Sequence, residues 1–254
     1  MINNKYQILE QIGSGAFGKI FRGVNIRNNE NVAIKSEPID SESALLLKNE
    51  TIFYEYLKEL KHVPKIKWFG KDSTNYYMVM ELLGISLGDL KKKAGKLPLE
   101  LVQKIGIQLI LILQSIHSKG LVHRDIKPDN FLLGLNNQKL FLIDFGFCKS
   151  FDHSERKTTK KLIGTLNYAS LNAHRLYDQS RADDLESLCY TLTDLSENGL
   201  VWDKRDESEI IQYKENFITL PVYEQLKQLW NYIQHIGYDE TPNYQMIINI
   251  LKHK

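Results

Sequence analysis

His123-Arg124-Asp125-Ile126-Lys127-Pro128-Asp129-Asn130 is a polar loop between two apolar runs, with Phe131-Leu132-Leu133 directly after it. Such loops are ordinarily solvated turns, and His-Arg-Asp alone reads as a surface ion pair. This one packs Asp125, Lys127, Asp129 and Asn130 into a few residues. A second signal, Asp144-Phe145-Gly146, follows the next apolar run. Phosphoryl transfer needs a carboxylate near the attacking hydroxyl, plus an asparagine and an aspartate to hold metal. The octapeptide together with Asp-Phe-Gly is therefore read as chemistry and not as a turn.

The 254 residues suffice for one large domain or two modest lobes. A hydrophobic share of 43% and a charged share of 25% fit a soluble globular chain. The formal net charge of +2 gives no argument for a nucleic-acid or membrane partner, and neither is expected. Cys148 and Cys189 lack zinc-ligand spacing and are too few for a disulfide framework. A reducing, intracellular compartment is expected, cytoplasmic or nuclear. The first residues, MINNKYQILEQIG, lack a signal-peptide pattern. The apolar stretch Ile105 to Ile116 contains Gln108, Gln114 and Ser115. It is expected to be too short for a bilayer and to form a buried helix. Apolar spacing at Met246, Ile247, Ile250 and Leu251 runs almost to Lys254, so no regulatory tail is expected.

Working towards the N-terminus, Tyr6 to Ile12 predicts a strand. Gly13-Ser14-Gly15-Ala16-Phe17-Gly18 then reads G-x-G-x-x-G. The same letters open a dinucleotide-binding turn, but there a helix follows, with an acid about 20 residues on. Here Lys19 to Val24 predicts a returning strand. Small residues between two strands let backbone N–H groups approach phosphate oxygens. Val32-Ala33-Ile34-Lys35 is an apolar strand ending in lysine. On its own Lys35 would be a solvated edge residue. Placed after the glycine loop, it is expected to reach the α- and β-phosphates of a nucleotide. Ser43 to Leu60 predicts a helix with Leu46, Leu47, Ile52, Phe53, Tyr56, Leu57 and Leu60 as its apolar stripe. Glu50 on that helix is expected to pair with Lys35, with Glu55 and Glu59 as alternatives. Tyr76 to Gly84 reads as a strand running into a linker, with Met80 as pocket wall or core filler.

Beyond the linker, Ser86 can cap a short helix reaching Lys93. Leu99 to Ser118 predicts a long helix stopped near Gly120. Lys139 to Ile143 predicts the strand that delivers Asp144. Asp125 is expected to orient the substrate hydroxyl and accept its proton, and Lys127 to neutralise the transferring phosphoryl group. Asn130 and Asp144 are expected to hold metal. Pro221 to Ile236 and Pro242 to Leu251 predict closing helices of the core.

Together these motifs resemble a eukaryotic protein kinase over nearly the whole chain. An A-P-E motif is missing. In its place stand Gly164-Thr165-Leu166-Asn167-Tyr168-Ala169-Ser170-Leu171-Asn172-Ala173-His174 and Gln179-Ser180-Arg181-Ala182-Asp183-Asp184-Leu185-Glu186-Ser187-Leu188. Both strings resemble segments of the casein kinase I family, as do Met80 to Gly84 and Pro128 to Leu132. The resemblance implies an α+β, bilobal fold: an antiparallel sheet with one helix over about 1–83, and a mainly helical lobe over about 84–254. It implies a monomeric serine/threonine kinase that uses ATP and Mg2+ and acts on protein hydroxyls near acidic or phosphorylated residues. Gly13, Ser14, Gly15, Ala16, Phe17, Gly18, Ile20, Ala33, Lys35, Met80, Glu81, Leu83 and Leu133 would surround the nucleotide. Asp184 would steady the catalytic loop's backbone. A kinase-shaped scaffold that binds nucleotide without turnover is the competing reading, and the presence of Lys35, Asp125, Asn130 and Asp144 speaks against it.

Asn167 and Ala182 replace arginines of the family pattern, and Ser208 to Tyr213 reads S-E-I-I-Q-Y where basic residues are usual. Arg181 remains as a candidate to hold a substrate anion, and one arginine holds a phosphate less well than a cluster. Strong dependence on a phosphate-primed substrate is therefore not expected. Lys157, Lys160 and Lys161 are either a partial replacement or a solvated loop. Cys189 is expected to be a buried thiol, and Cys148 to serve in ordinary packing.

Overall fold

The computed structural model describes residues 1–15, 18–41, 43–136, 139–153 and 155–252. The strands are β1 (Tyr6–Gly15), β2 (Gly18–Asn25), β3 (Glu30–Pro38), β4 (Ile66–Lys71), β5 (Asn75–Glu81), β6 (Leu121–Val122), β7 (Phe131–Leu133), β8 (Leu140–Leu142) and β9 (Lys149–Ser150). The helices are α1 (Ser43–Tyr56), α2 (Leu87–Ala94), α3 (Leu99–His117), α4 (Leu171–His174), α5 (Arg181–Ser196), α6 (Glu207–Glu215), α7 (Glu224–Ile233) and α8 (Tyr244–Lys252). The chain divides into two compact units. One is Met1–Gly84 with Leu132–Gly146, the other Ile85–Phe131 with Phe147–Lys254.

In the first unit, β1 to β5 form an antiparallel sheet in the order β1-β2-β3-β5-β4. Residues paired across antiparallel strands share a face, so the register sorts the side chains. Phe21, Ile34 and Val79 lie on one face, where Ile34 and Val79 join Ile2, Tyr6, Val32 and Tyr77 in a buried core. Ile20, Ala33, Lys35, Met78 and Met80 lie on the other. The helix α1 packs there, and its Thr51 hydroxyl reaches the Met78 sulfur at 3.5 Å. The helix buries Ala44, Leu47, Glu50 and Tyr54, a 3–4 spacing that puts a carboxylate in the apolar stripe. Two residues of the expected stripe, Ile52 and Tyr56, are exposed. A further strand, β4, was not expected from the sequence.

The second unit is built on α5, which is buried along its whole length. Ser180 caps it, and Asp183 completes a capping box by accepting from the Ser180 N–H at 2.7 Å. The helix α3 packs against α5 and α8, and α7 against α5. By length and composition alone α3 is long and apolar enough to cross a membrane, and its span matches the helix predicted over Leu99 to Ser118. Its buried residues, among them Val102, Leu109, Leu113 and Ile116, belong to the core of this unit. Tyr190, Trp202, Phe217 and Trp230 pack as an aromatic cluster with ring centroids 4.8–6.5 Å apart.

Candidate active site

In the first unit the glycine loop is the tip of the β1–β2 hairpin, with Gly13 opposite Ile20, Ser14 opposite Lys19 and Gly15 opposite Gly18. Ala16 and Phe17 lie outside the described residues. The sequence predicts a strand on both sides of the loop, and both are present. Gly18 has φ +98°, and a Cβ there would fall 2.3 Å from the Ser36 carbonyl oxygen, so no other residue fits without displacement.

Lys35 is buried on β3, and its Nζ donates to Glu50 Oε2 at 2.7 Å. Of the three candidate glutamates the partner is therefore Glu50, while Glu55 pairs with Lys58. Asp144 Oδ1 lies 3.7 Å from the same ammonium. Burial opposes the charge on Lys35, but the Glu50 and Asp144 carboxylates outweigh it and raise its pKa. Burial pushes Glu50 up to about 7 against the pull of Lys35. The same helix holds the Asp-Phe-Gly backbone: the Asp144 N–H donates to the Tyr54 hydroxyl at 3.0 Å, and Phe145 packs edge-on to the Tyr54 ring. Asp144 itself has φ +65°, a conformation rare outside glycine that persists where neighbours enforce it. Met80 and Glu81 end β5, and the Glu81 N–H is already given to the Lys65 carbonyl. Leu83 and Leu133 are half-buried, and the Leu133 carbonyl accepts from Gly84 N–H at 2.7 Å.

In the second unit Asp125 is almost fully buried. Its Oδ2 accepts from Lys127 Nζ at 2.7 Å and from Asn130 Nδ2 at 3.2 Å, and its Oδ1 accepts from the Thr165 hydroxyl at 2.7 Å. Lys127 also donates to Thr165 Oγ1 at 2.8 Å, and Asn130 Nδ2 to the Asp125 carbonyl at 2.8 Å. Below this ring the loop backbone hangs on Asp184. Its two oxygens accept the N–H groups of His123 and Arg124, each at 2.8 Å. Arg124 has φ +69°, so this strained turn is held by a buried carboxylate. His117 Nε2 donates to Asp184 at 2.9 Å, and its Nδ1 accepts from the Tyr244 hydroxyl at 2.6 Å. Burial would raise the Asp184 pKa, but these donors hold it below the usual range. Asp184 is thus a backbone anchor inside α5 and not its cap, which is Ser180.

The implied metal can be tested on Asp144. Its Oδ1 is buried and has no hydrogen-bond partner among the described residues. An acceptor left over beside a buried lysine fits a site that takes a cation or its phosphate complex. Among the described residues no cluster of three or more His, Cys, Asp or Glu could cage a metal alone. Mg2+ is characteristically held by one or two protein groups together with phosphate oxygens.

The profile of the protein kinase domain matches residues 6–253. This chain belongs to the protein kinase family. The kinase domain is also 36% identical, over 269 aligned residues, to a Dictyostelium discoideum protein named a probable serine/threonine-protein kinase. The alignment takes in 99% of this chain and 54% of that protein, so the chain spans about half the length of the relative.

Elsewhere in the kinase domain, Arg181 is buried. Its Nη2 donates to the Asp239 carbonyl at 2.7 Å, and its guanidinium lies over the Phe151 ring. Its charge is therefore largely committed inside the second unit. Asn167 donates to Asp203 at 2.9 Å, and Ala182 is buried in α5. Lys157 pairs with Asp152, while Lys160 and Lys161 are exposed. Cys148 and Cys189 are both buried, and burial pushes the Cys148 thiol up to about 12, which leaves it inert. Thr165 and Tyr54 were not singled out from the sequence. Thr165 was visible only as a letter in the Gly164 to His174 string, and Tyr54 only as an aromatic on α1.

Proposed function

We propose that this chain is a casein kinase I-like serine/threonine protein kinase that transfers the γ-phosphate of ATP to protein hydroxyls, with Mg2+ as cofactor. The observation that carries the reading is the fixed carboxylate of Asp125. A carboxylate offers about four acceptor sites. Lys127 and Asn130 use Oδ2 and Thr165 uses one site on Oδ1. The remaining position on Oδ1 is where a substrate hydroxyl would donate and lose its proton. Lys127 would offset charge on the moving phosphoryl group, and Lys35 would anchor the non-transferred phosphates. Asn130 and Asp144 would hold Mg2+, which neutralises phosphate charge when bound. Ile20, Ala33 and Met80, on the same sheet face as Lys35, would wall the adenine.

Serine/threonine specificity is supported by Lys127 two residues after Asp125 and by the name of the Dictyostelium relative. The casein kinase I-like reading rests on the Gly164 to His174 and Gln179 to Leu188 strings. Selectivity for acidic neighbours would come from Lys160 and Lys161. With Asn167, Ala182 and an inward-committed Arg181, a phosphorylated residue upstream of the acceptor would add little. An intracellular, cytoplasmic or nuclear, location is in keeping with the two free cysteines.

The test is a peptide series with phosphoserine, aspartate or alanine three residues before the acceptor serine. A kcat/KM gain of less than about threefold for phosphoserine over aspartate is expected, equivalent to under about 0.7 kcal/mol of transition-state preference. A gain of a hundredfold would overturn the weak-priming reading. Equal use of all three peptides would remove the acidic preference.

A further inference from the structure

The helix α6 looks like a surface helix from its sequence, Glu-Ser-Glu-Ile-Ile-Gln-Tyr-Lys-Glu. Its one basic residue, Lys214, nevertheless points inward and is fully buried. An ammonium has three donors, and all three are used. Nζ donates to the Leu166 carbonyl at 3.0 Å, to the Ala169 carbonyl at 2.7 Å and to His174 Nε2 at 3.0 Å. The charge also faces the Tyr190 ring, 4.8 Å from its centroid, and the Trp202 ring at 5.8 Å. His174 is set up to receive it. Its Nδ1–H donates to Glu207 Oε1 at 2.8 Å, which leaves Nε2 as an acceptor, and burial beside Lys214 keeps the ring neutral. Burying a lysine costs several kcal/mol unless its surroundings are arranged for it. The three bonds offset part of that cost, and the two carbonyls held belong to one turn.

That turn starts at the residue that touches Asp125. Thr165 donates its hydroxyl to Asp125, and its carbonyl accepts the N–H groups of Tyr168 and Ala169, both at 2.8 Å. Trp202 Nε1 takes the Asn167 carbonyl at 3.0 Å. The carbonyls of residues 165, 166, 167 and 169 are thus all engaged, two of them by Lys214. Leu166, the first carbonyl held, is one residue from Thr165. An unbroken chain of contacts therefore runs from Lys214 through the turn Thr165–Ala169 to the carboxylate of Asp125, all inside the second unit.

We propose that Lys214 is a positioning residue for phosphoryl transfer: by holding the turn Thr165–Ala169 it fixes the Thr165 hydroxyl, and with it the Asp125 carboxylate, in working geometry. The proposal rests on the kinase reading above, which names Asp125 as the acceptor of the hydroxyl proton. Lys214 touches neither nucleotide nor acceptor, so its loss should reach the chemistry only through Thr165.

The experiment is a double-mutant cycle on the full chain with Lys214→Met, Thr165→Val and the pair, reading kcat, both KM values and fluorescent-nucleotide Kd. Wild-type protein must first transfer phosphate to a serine peptide. If it does not, the kinase reading fails and the cycle has no baseline. With an active wild type, Lys214→Met is expected to lower kcat at least tenfold while nucleotide Kd stays within twofold. The double variant is expected to be no slower than the slower single variant. Effects of the two substitutions that simply multiply would overturn the proposal, because Lys214 would then not act through Thr165. A kcat unchanged per folded molecule, with only a lowered melting temperature, would also overturn it. Should Lys214→Met not fold, Lys214→Gln, which is neutral and still donates to a carbonyl, goes through the same cycle. Full kcat in that variant would contradict the proposal, and a partial loss that vanishes in the Thr165→Val background would support it.

Discussion

Lys35 on β3 and Glu50 on α1 form a buried ion pair, with Nζ 2.7 Å from Oε2. A buried pair is costly to break because one charge is left behind. The pair also sets the ammonium 3.7 Å from Asp144. Lys35→Met is expected to lower kcat by about 10²–10³, the range for losing one preorganised charged donor. Glu50→Gln keeps the shape but frees the lysine, and a loss of about tenfold with a higher KM for ATP is expected. Steady-state kinetics against Glu55→Gln as control checks both. Loss in the Glu55 variant and none in Glu50→Gln would contradict the assignment.

The same glutamate makes stability depend on pH. Burial raises Glu50 and Glu186 from their ordinary 4.5 to about 7. Between those values the folded state binds more protons than the unfolded chain. Their stabilising contribution is therefore full below about pH 4.5 and is lost as pH rises through 7. Lys214 works in the opposite sense at higher pH: burial lowers it from 10.5 to about 7, so its contribution improves as pH climbs from 7 towards 10.5. Urea melts at pH 5.5 and 8 should show Glu50→Gln losing less stability across that interval than wild type. An identical slope in both proteins would count against a buried Glu50 whose pKa is raised.

Asp184 carries the backbone of the His123–Asn130 loop at His123 and Arg124. Alanine there would orphan the N–H groups of His123 and Arg124 and one donor of His117. At about 1–3 kcal/mol for each buried donor left unpaired, a destabilisation of about 3–9 kcal/mol is expected. Asp184→Asn keeps one acceptor and should cost less. Chemical denaturation measures both, and a loss under 1 kcal/mol for alanine would show that the loop does not depend on this carboxylate.

Asp178 supplies a fixed negative charge beside Arg124 of the His123–Asn130 loop. It is buried, it pairs with Lys149, and its other oxygen lies 3.9 Å from Arg124 Nη1. Its backbone carbonyl accepts from Arg156 Nε at 2.9 Å. With a carboxylate already built in, no phosphate is needed to gather these cations. Phosphatase-treated protein is expected to keep its kcat within twofold, while Asp178→Ala should lose at least tenfold. Phosphatase sensitivity in the wild type, or full activity in Asp178→Ala, would contradict this.

The parts read most readily from the sequence were those in which one short string holds the chemistry. Asp125, Lys127 and Asn130 meet because a single turn carries all three, and the glycine hairpin was legible because strand-forming residues flank it on both sides. The stripe of α1 was misread because a glutamate sits in its buried face. A stripe drawn through apolar residues alone leaves Glu50 out of the helical phase and places Ile52 and Tyr56 inside. The strand β4 escaped because most of its residues are half-buried and show no alternation. Thr165 lies 40 residues from Asp125, and the partners of Lys214 are mostly backbone carbonyls, which have no signature in a sequence.

The most direct test is transfer of labelled γ-phosphate from ATP to casein and to a serine peptide, with Asp144→Asn and Asp125→Asn protein assayed at equal concentration. Phosphoserine should accumulate with wild type. It should fall by at least about a hundredfold with Asp125→Asn, within the 10²–10⁴ that general base catalysis contributes, and also fall with Asp144→Asn. Transfer by wild type no faster than by Asp144→Asn protein would contradict the assignment of these carboxylates to phosphoryl transfer.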